Sequence, residues 1–166
     1  EVRDPKTGQT VLVNPPDRLK KIFETNMRTS RAIGQYDRVQ RTKKSRPYLL
    51  YSLGPSERHR PLHVSWHGTL LPVDDAWWQN HFPPLGWNCR CTVRSVSARE
   101  AGELEDSGVI LPEQELDVNG KPTGHIIEKR VPVQRTAPPS PLIPWKNTRT
   151  GKTEFVPEGV DPETGE

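Results

Sequence analysis

The sequence predicts an α+β fold, a small mixed domain with a long N-terminal helix, short strands and an extended proline-rich C-terminal arm. Three observations carry this expectation. Leu19, Ile22, Phe23 and Met27 recur at three- and four-residue spacing, the signature of one helix face. Short apolar runs bounded by Pro and Gly follow them, as strands do. Finally, the 166 residues include 18 prolines and only 31% apolar residues, against about 45–50% in ordinary globular chains on a count that includes glycine. The core is therefore modest and flanked by irregular arms. This length suits one domain with appendages.

Residues 1–16 read as a small hairpin or arm, with Thr7-Gly8 at the turn of "KTGQTVLV". A core domain spans 17–108. Asp17 is the expected N-cap of the helix, which runs through Ile33 toward Val39 with Gly34 as its weak point and a basic opposite face. "RPYLLYSL" and "CRCTVRSV" read as strands, and "SARE" at Ser97 to Glu100 is a capping box opening a helix that closes near Gly108. Residues 109–166 form an extended C-terminal region with short hairpins. There "DVNGKPTG" supplies turns, "HIIEKRVPV" a strand, "RTAPPSPLIP" a polyproline-like arm and Thr150-Gly151 a last hairpin.

The formal charge of +3 is too small to imply a nucleic-acid binder, but its distribution is informative. Arg28, Arg31, Arg38, Arg41, Lys43, Lys44 and Arg46 face only Asp37 within their block, whereas residues 100–128 are strongly acidic. The blocks pair with each other, bind separate partners, or form solvated faces, the commonest outcome. No apolar run approaches the ~20 residues that span a bilayer. Met27 is the sole methionine, and the first and last segments read as turns cut from something longer.

Residues 59–91, "HRPLHVSWHGTLLPVDDAWWQNHFPPLGWNCRC", concentrate the histidines, both cysteines and most of the tryptophans. Three readings compete. The first is structural zinc on His63, His81, Cys89 and Cys91, with His67 as the alternate ligand; the Cys-x-Cys spacing is shorter than the usual Cys-x₂₋₄-Cys. A disulfide between the two cysteines would close a strained ring. The second is acid–base chemistry on a phosphodiester by His59, His63 and His67 with Asp74 and Asp75. The third is a packing nucleus of Trp66, Trp77, Trp78 and Trp87, each contributing about 2–3 kcal/mol if buried. In that reading Asp74-Asp75 caps a short helix, and Pro83-Pro84 and Gly86 bring Trp87 back beneath it. Pro61 and "HVSW" suggest an extended chain around His63.

The succession "TNMRTSRAIGQYDR", "RPYLLYSLGPSERHRPLH" and "HGTLLPVDDAWWQNHFPPLGWNCRC" resembles the phage Mu F-like minor head proteins of the head morphogenesis family. The similarity covers residues 20–97, and the tail "NTRTGKTEFVPEGVDP" also resembles the family's C-terminal extension. His63, Gly68, Asp74, Asp75, Pro83, Pro84, Cys89, Arg90 and Cys91 fall on motif positions. His67 stands where the family often has an acidic residue, which favours His81 as fourth ligand. The resemblance implies a structural, non-enzymatic role in head assembly or DNA delivery, few copies per capsid, and a longer helical N-terminal region than this sequence contains. Implied partners are the portal and other capsid proteins; the charge block itself makes Arg28, Arg31, Arg38, Arg41, Lys43 and Lys44 the expected contact with packaged DNA. The implied location is the capsid interior, after assembly in the host cytoplasm, with no membrane partner and no cofactor besides zinc. The alternative is a metal-dependent nuclease or phage-borne effector acting on nucleic acid.

Overall fold

A computed structural model of the chain describes residues 2–3, 10–11, 16–56, 59–147, 150–158 and 160. The fold is mixed α+β: an N-terminal helix followed by several short antiparallel sheets. Strands β1 (Val2–Arg3) and β2 (Thr10–Val11) pair antiparallel as the expected hairpin, whose Thr7-Gly8 turn lies outside the described residues. Helix α1 (Pro16–Thr42) starts one residue before Asp17, because proline with its fixed φ and missing N–H suits the first helical position. Gly34 does not break it.

The expected apolar face of α1 is not buried. Leu19, Phe23 and Ile33 are 52%, 67% and 61% exposed. The physical reason is length: 27 residues of helix extend about 40 Å, whereas a five-residue strand extends about 17 Å. Thr25 is buried in the N-terminal half of α1, and the C-terminal part meets the core. There Val39 enters the core, Gln35 donates to the Val93 carbonyl, and Tyr36 meets Phe82 edge-on at 5.4 Å.

The central sheet has the order β4-β3-β5, all antiparallel, with β3 (Tyr48–Ser52) between β4 (Leu70–Pro72) and β5 (Thr92–Val96). Alternation along β3 sends side chains to two cores. Leu49 and Tyr51, opposite Ser95 and Val93, join Leu71, Trp66, Trp77, Trp78, Leu85 and both cysteines on one face. Leu50, with Leu70, Val96, Ala101 and Val109, packs on the other. β3 is therefore buried on both sides, consistent with its continuous apolar sequence.

Ser97 caps α4 (Ala98–Ser107): its hydroxyl accepts the Glu100 amide at 3.2 Å, and Gly108 at φ 71° ends the helix. Glu100 also receives Arg46 at 2.8 Å and Arg94, so the basic and acidic blocks meet within the chain at this point. β6 (Val109–Leu116) and β7 (Pro122–Val131) form a long hairpin whose Asp117 carboxylate accepts the Asn119 and Lys121 amides. β8 (Leu142–Lys146) and β9 (Thr153–Pro157) form the last hairpin.

The chain returns to the core between these hairpins. Gln134 exchanges backbone hydrogen bonds with Gly68 and Leu70 at 2.9 and 2.8 Å, and its side chain donates to the Ser65 and His67 carbonyls. Val131 and Val133 cover the second core.

Candidate metal centre

Pro61 opens the short helix α2 (Pro61–Ser65) after an extended Arg60, so His63 is helical rather than in the extended chain expected around it. This buries His63, whose ring stacks on Trp66 at 5.0 Å. On the opposite side, Gly86 and Asn88 at φ 140° and 59° turn the chain ahead of β5. Burial alternates from Cys89 to Val93, the pattern of an extended chain. Alternate residues of an extended chain share a side, so Cys-x-Cys points both thiols inward. A Cβ on Gly54 would lie 1.7 Å from the Arg90 carbonyl oxygen, so only glycine lets the end of β3 and this segment approach so closely.

These elements converge on one group. His63 Nδ1 lies 3.5 Å from Cys91 Sγ and 3.9 Å from Cys89 Sγ, and the three donor atoms are all within 4.8 Å of one another. Zinc bonds of about 2.0–2.3 Å at tetrahedral angles put donors about 3.5–3.8 Å apart. The observed spacings need only a small contraction. The cysteines are free thiols, not a disulfide. Cys89 is the more acidic, held well below the ordinary thiol range first by a hydrogen bond from Cys91 and then by His63 and nearby amides, against burial. The same bond and burial push Cys91 up.

The surroundings fit a thiophilic cation. Tyr51 is fully buried with no hydrogen-bond partner of sound geometry for its hydroxyl, yet it couples electrostatically to Cys91 and Cys89. Leaving such a hydroxyl unsatisfied costs about 1–3 kcal/mol. Thiolates held by a metal are acceptors it can satisfy. Beside the group opens a cavity of about 620 Å³, lined also by His59, Arg60, Trp87 and Arg90.

The sequence profile of phage Mu protein F-like proteins matches residues 6–94, a segment containing α1, β3, β4, the start of β5 and all three donors. The chain belongs to the phage Mu protein F-like family. It is 42% identical over 97 residues to the capsid assembly protein F of Escherichia phage Mu, which covers 58% of this chain. It is 33% identical over 92 residues, 55% of the chain, to the Mu-like prophage FluMu F protein of Haemophilus influenzae. The matched part spans 22% of the length of each relative. No solved structure matches the chain. No helix among the described residues is long and apolar enough to cross a membrane.

In this Mu F-like chain His81 is held apart from the donor group. Trp66, itself inaccessible to solvent, touches both histidines: His63 stacks on it and His81 meets it edge-on at 4.8 Å. His81 Nδ1 bonds the Trp77 carbonyl at 2.8 Å and Nε2 bonds the Ser140 hydroxyl at 2.9 Å. His67 is committed too, accepting from the Leu53 amide at 3.2 Å and donating to the Ile110 carbonyl at 2.9 Å. Burial lowers the pKa of both histidines. Asp74 pairs with Lys43 at 2.7 Å, and Asp75 accepts the Trp77 amide at 2.9 Å ahead of α3 (Trp78–His81). Neither aspartate hydrogen-bonds a histidine among the described residues.

Trp66, Trp77 and Trp78 are buried as expected, but Trp87 is 40% exposed at the cavity rim, its carbonyl accepting from Arg60. The turn at Gly86 directs it outward rather than under α3. Gly68, at φ 81°, sits where a Cβ would press on Val109 at 3.0 Å. In the basic block Arg28 pairs with Glu24 and Lys43 with Asp74, while Arg31, Arg38, Arg41 and Lys44 are exposed. Sequence reasoning missed Tyr51 and Arg60; a tyrosine within an apolar strand gives no sign that its hydroxyl ends beside a thiol.

Proposed function

We propose that this chain is the portion of a phage minor head protein that assists head assembly at the portal, stabilised by structural zinc on His63, Cys89 and Cys91. What supports the assembly reading is family membership together with 42% identity to the Mu capsid assembly protein F. What supports the zinc reading is the buried donor group. Zinc there would supply a crosslink between α2 and the segment leading into β5, in a domain whose core is small. The exposed Arg31, Arg38, Arg41 and Lys44, with Arg28 and Lys43 at the margins, offer packaged DNA a sequence-independent surface. The working location is the capsid interior, reached after assembly in the host cytoplasm.

The test is co-sedimentation of the chain with portal rings of its own phage, before and after zinc removal. Co-migration lost on chelation is expected. No association under either condition would count against a portal role for this segment.

A second reading, a metal-dependent nuclease or effector, draws on the cavity beside the donor group. It requires metal-dependent cleavage of DNA that His63→Ala abolishes.

A further inference from the structure

A tetrahedral metal with three protein donors has one position left to fill. We propose that the metal held by His63, Cys89 and Cys91 keeps that position open toward the adjoining cavity, where a phosphate oxygen steadied by Arg60 and Arg90 completes it. This rests on the zinc reading above and adds to it the ligand class.

Four observations converge. Among the described residues the donor group has three members, and the two other buried histidines, His67 and His81, have both ring nitrogens engaged elsewhere. All three donors line the cavity of about 620 Å³, so a ligand from solvent can reach them. That is far more room than one water needs, about 30 Å³ in the liquid.

The third observation is charge. Arg60 and Arg90 line the same cavity, and neither forms an ion pair among the described residues. Arg60 donates to the Trp87 carbonyl at 2.8 Å and Arg90 to the Pro55 carbonyl at 3.3 Å. Each guanidinium carries five donors, so both stay anchored with donors to spare, in the planar fork that matches phosphate. His59, fixed on the Gly54 carbonyl at 2.8 Å, stands beside them. No carboxylate among the described residues lines the cavity to compete.

The fourth is continuity. Arg90, Cys89 and Cys91 also line a second cavity of about 440 Å³, whose lining includes Arg28 and Arg31 of α1. Positive charge thus runs from the basic helix to the donor group. Two arginines at the open position, with Arg31 exposed beyond them, suit the higher charge of a phosphate better than that of a carboxylate.

The experiment uses the full chain loaded with Co²⁺ in place of zinc, because the visible spectrum of a thiolate-bound cobalt reports its coordination. Inorganic phosphate is titrated in at ionic strength fixed with perchlorate, and acetate in a parallel series. A saturable spectral change with phosphate is expected. Arg60→Ala and Arg90→Ala should each weaken it about tenfold, the loss typical of one charge-assisted hydrogen bond, without changing cobalt uptake. Cobalt bound but unmoved by phosphate overturns the proposal and leaves zinc standing; Tyr51→Phe then asks whether the phenol closes the site. An equal response to acetate, lost equally in the arginine variants, overturns the choice of phosphate. Failure to take up cobalt removes the metal reading itself, and the open position with it.

Discussion

The α-carbon of Gly54 faces the Arg90 carbonyl so closely that a methyl group there would sit 1.7 Å from the oxygen. The obstacle is backbone, which cannot rotate away as a side-chain tip can. Gly54→Ala should therefore cost more than the roughly 1–3 kcal/mol of ordinary overpacking. By displacing the cysteine segment it should also weaken zinc binding. Gly34→Ala is the control: nothing lies within 4 Å of its added carbon, and in a helix interior the change should stabilise by about 0.5–1 kcal/mol. Thermal melting of both variants reads the contrast, and equal melting temperatures would refute the close approach.

His63 and His81 flank the same tryptophan but should respond differently to substitution. His63→Gln should abolish stoichiometric zinc binding. His81→Gln should leave the stoichiometry intact while lowering stability through lost bonds to Trp77 and Ser140. Elemental analysis of each purified variant decides; loss of zinc from both would restore His81 to the ligand set.

Removing metal should lower stability in proportion to its occupancy, since a ligand at about 100 times its dissociation constant stabilises by about 2.7 kcal/mol. Urea denaturation with and without chelator measures this. Superimposable curves would mean that the donor group is only packing.

Acid should destabilise the metal-free protein through His67 and His81. Burial holds their folded pKa values below the ordinary 6.5, so the unfolded chain binds more protons. Their contribution is complete above about pH 6.5 and is lost as pH falls through the depressed folded values. Urea midpoints between about pH 7.5 and pH 5 should fall, and His81→Asn should flatten the slope. A midpoint independent of pH over that window contradicts the buried, neutral assignment.

Ser97→Ala should cost about 0.5–2 kcal/mol by stripping the cap from α4. Circular dichroism during thermal melting tests it. An unchanged transition would mean that the Glu100 ion pairs hold the helix start unaided.

Local chemistry was the part legible in the sequence. The Ser97 cap, the Gly108 stop, strands β3 and β5 and the hairpin turn at Asp117 each depend on neighbouring residues alone. The donor group was legible in part, because Cys89 and Cys91 share a side of an extended chain whatever lies beyond. His63 needed Pro61 read as a helix opener rather than a strand boundary. His81 lies outside the three-donor group: composition places it near the cysteines, while its contacts with Trp66, Trp77 and Ser140 are invisible to spacing rules. The apolar stripe at Leu19, Ile22, Phe23 and Met27 marked a helix correctly but not its burial, which only Ile22 reaches in part, since periodicity cannot tell whether the sheet is long enough to cover it.

The docking of Gln134 between Gly68 and Leu70 has a kinetic consequence. A chain made from its N-terminus completes β5 at Val96, yet Val109, Val131 and Val133, which cover Leu50 and Leu70, are synthesised later. For that interval one face of the sheet stays wet and available for mispairing. The contact that closes it joins residues far apart in sequence, the kind that slows folding. Translation from Val96 through Val133, together with closure of this contact, then sets how long the nascent protein stays vulnerable.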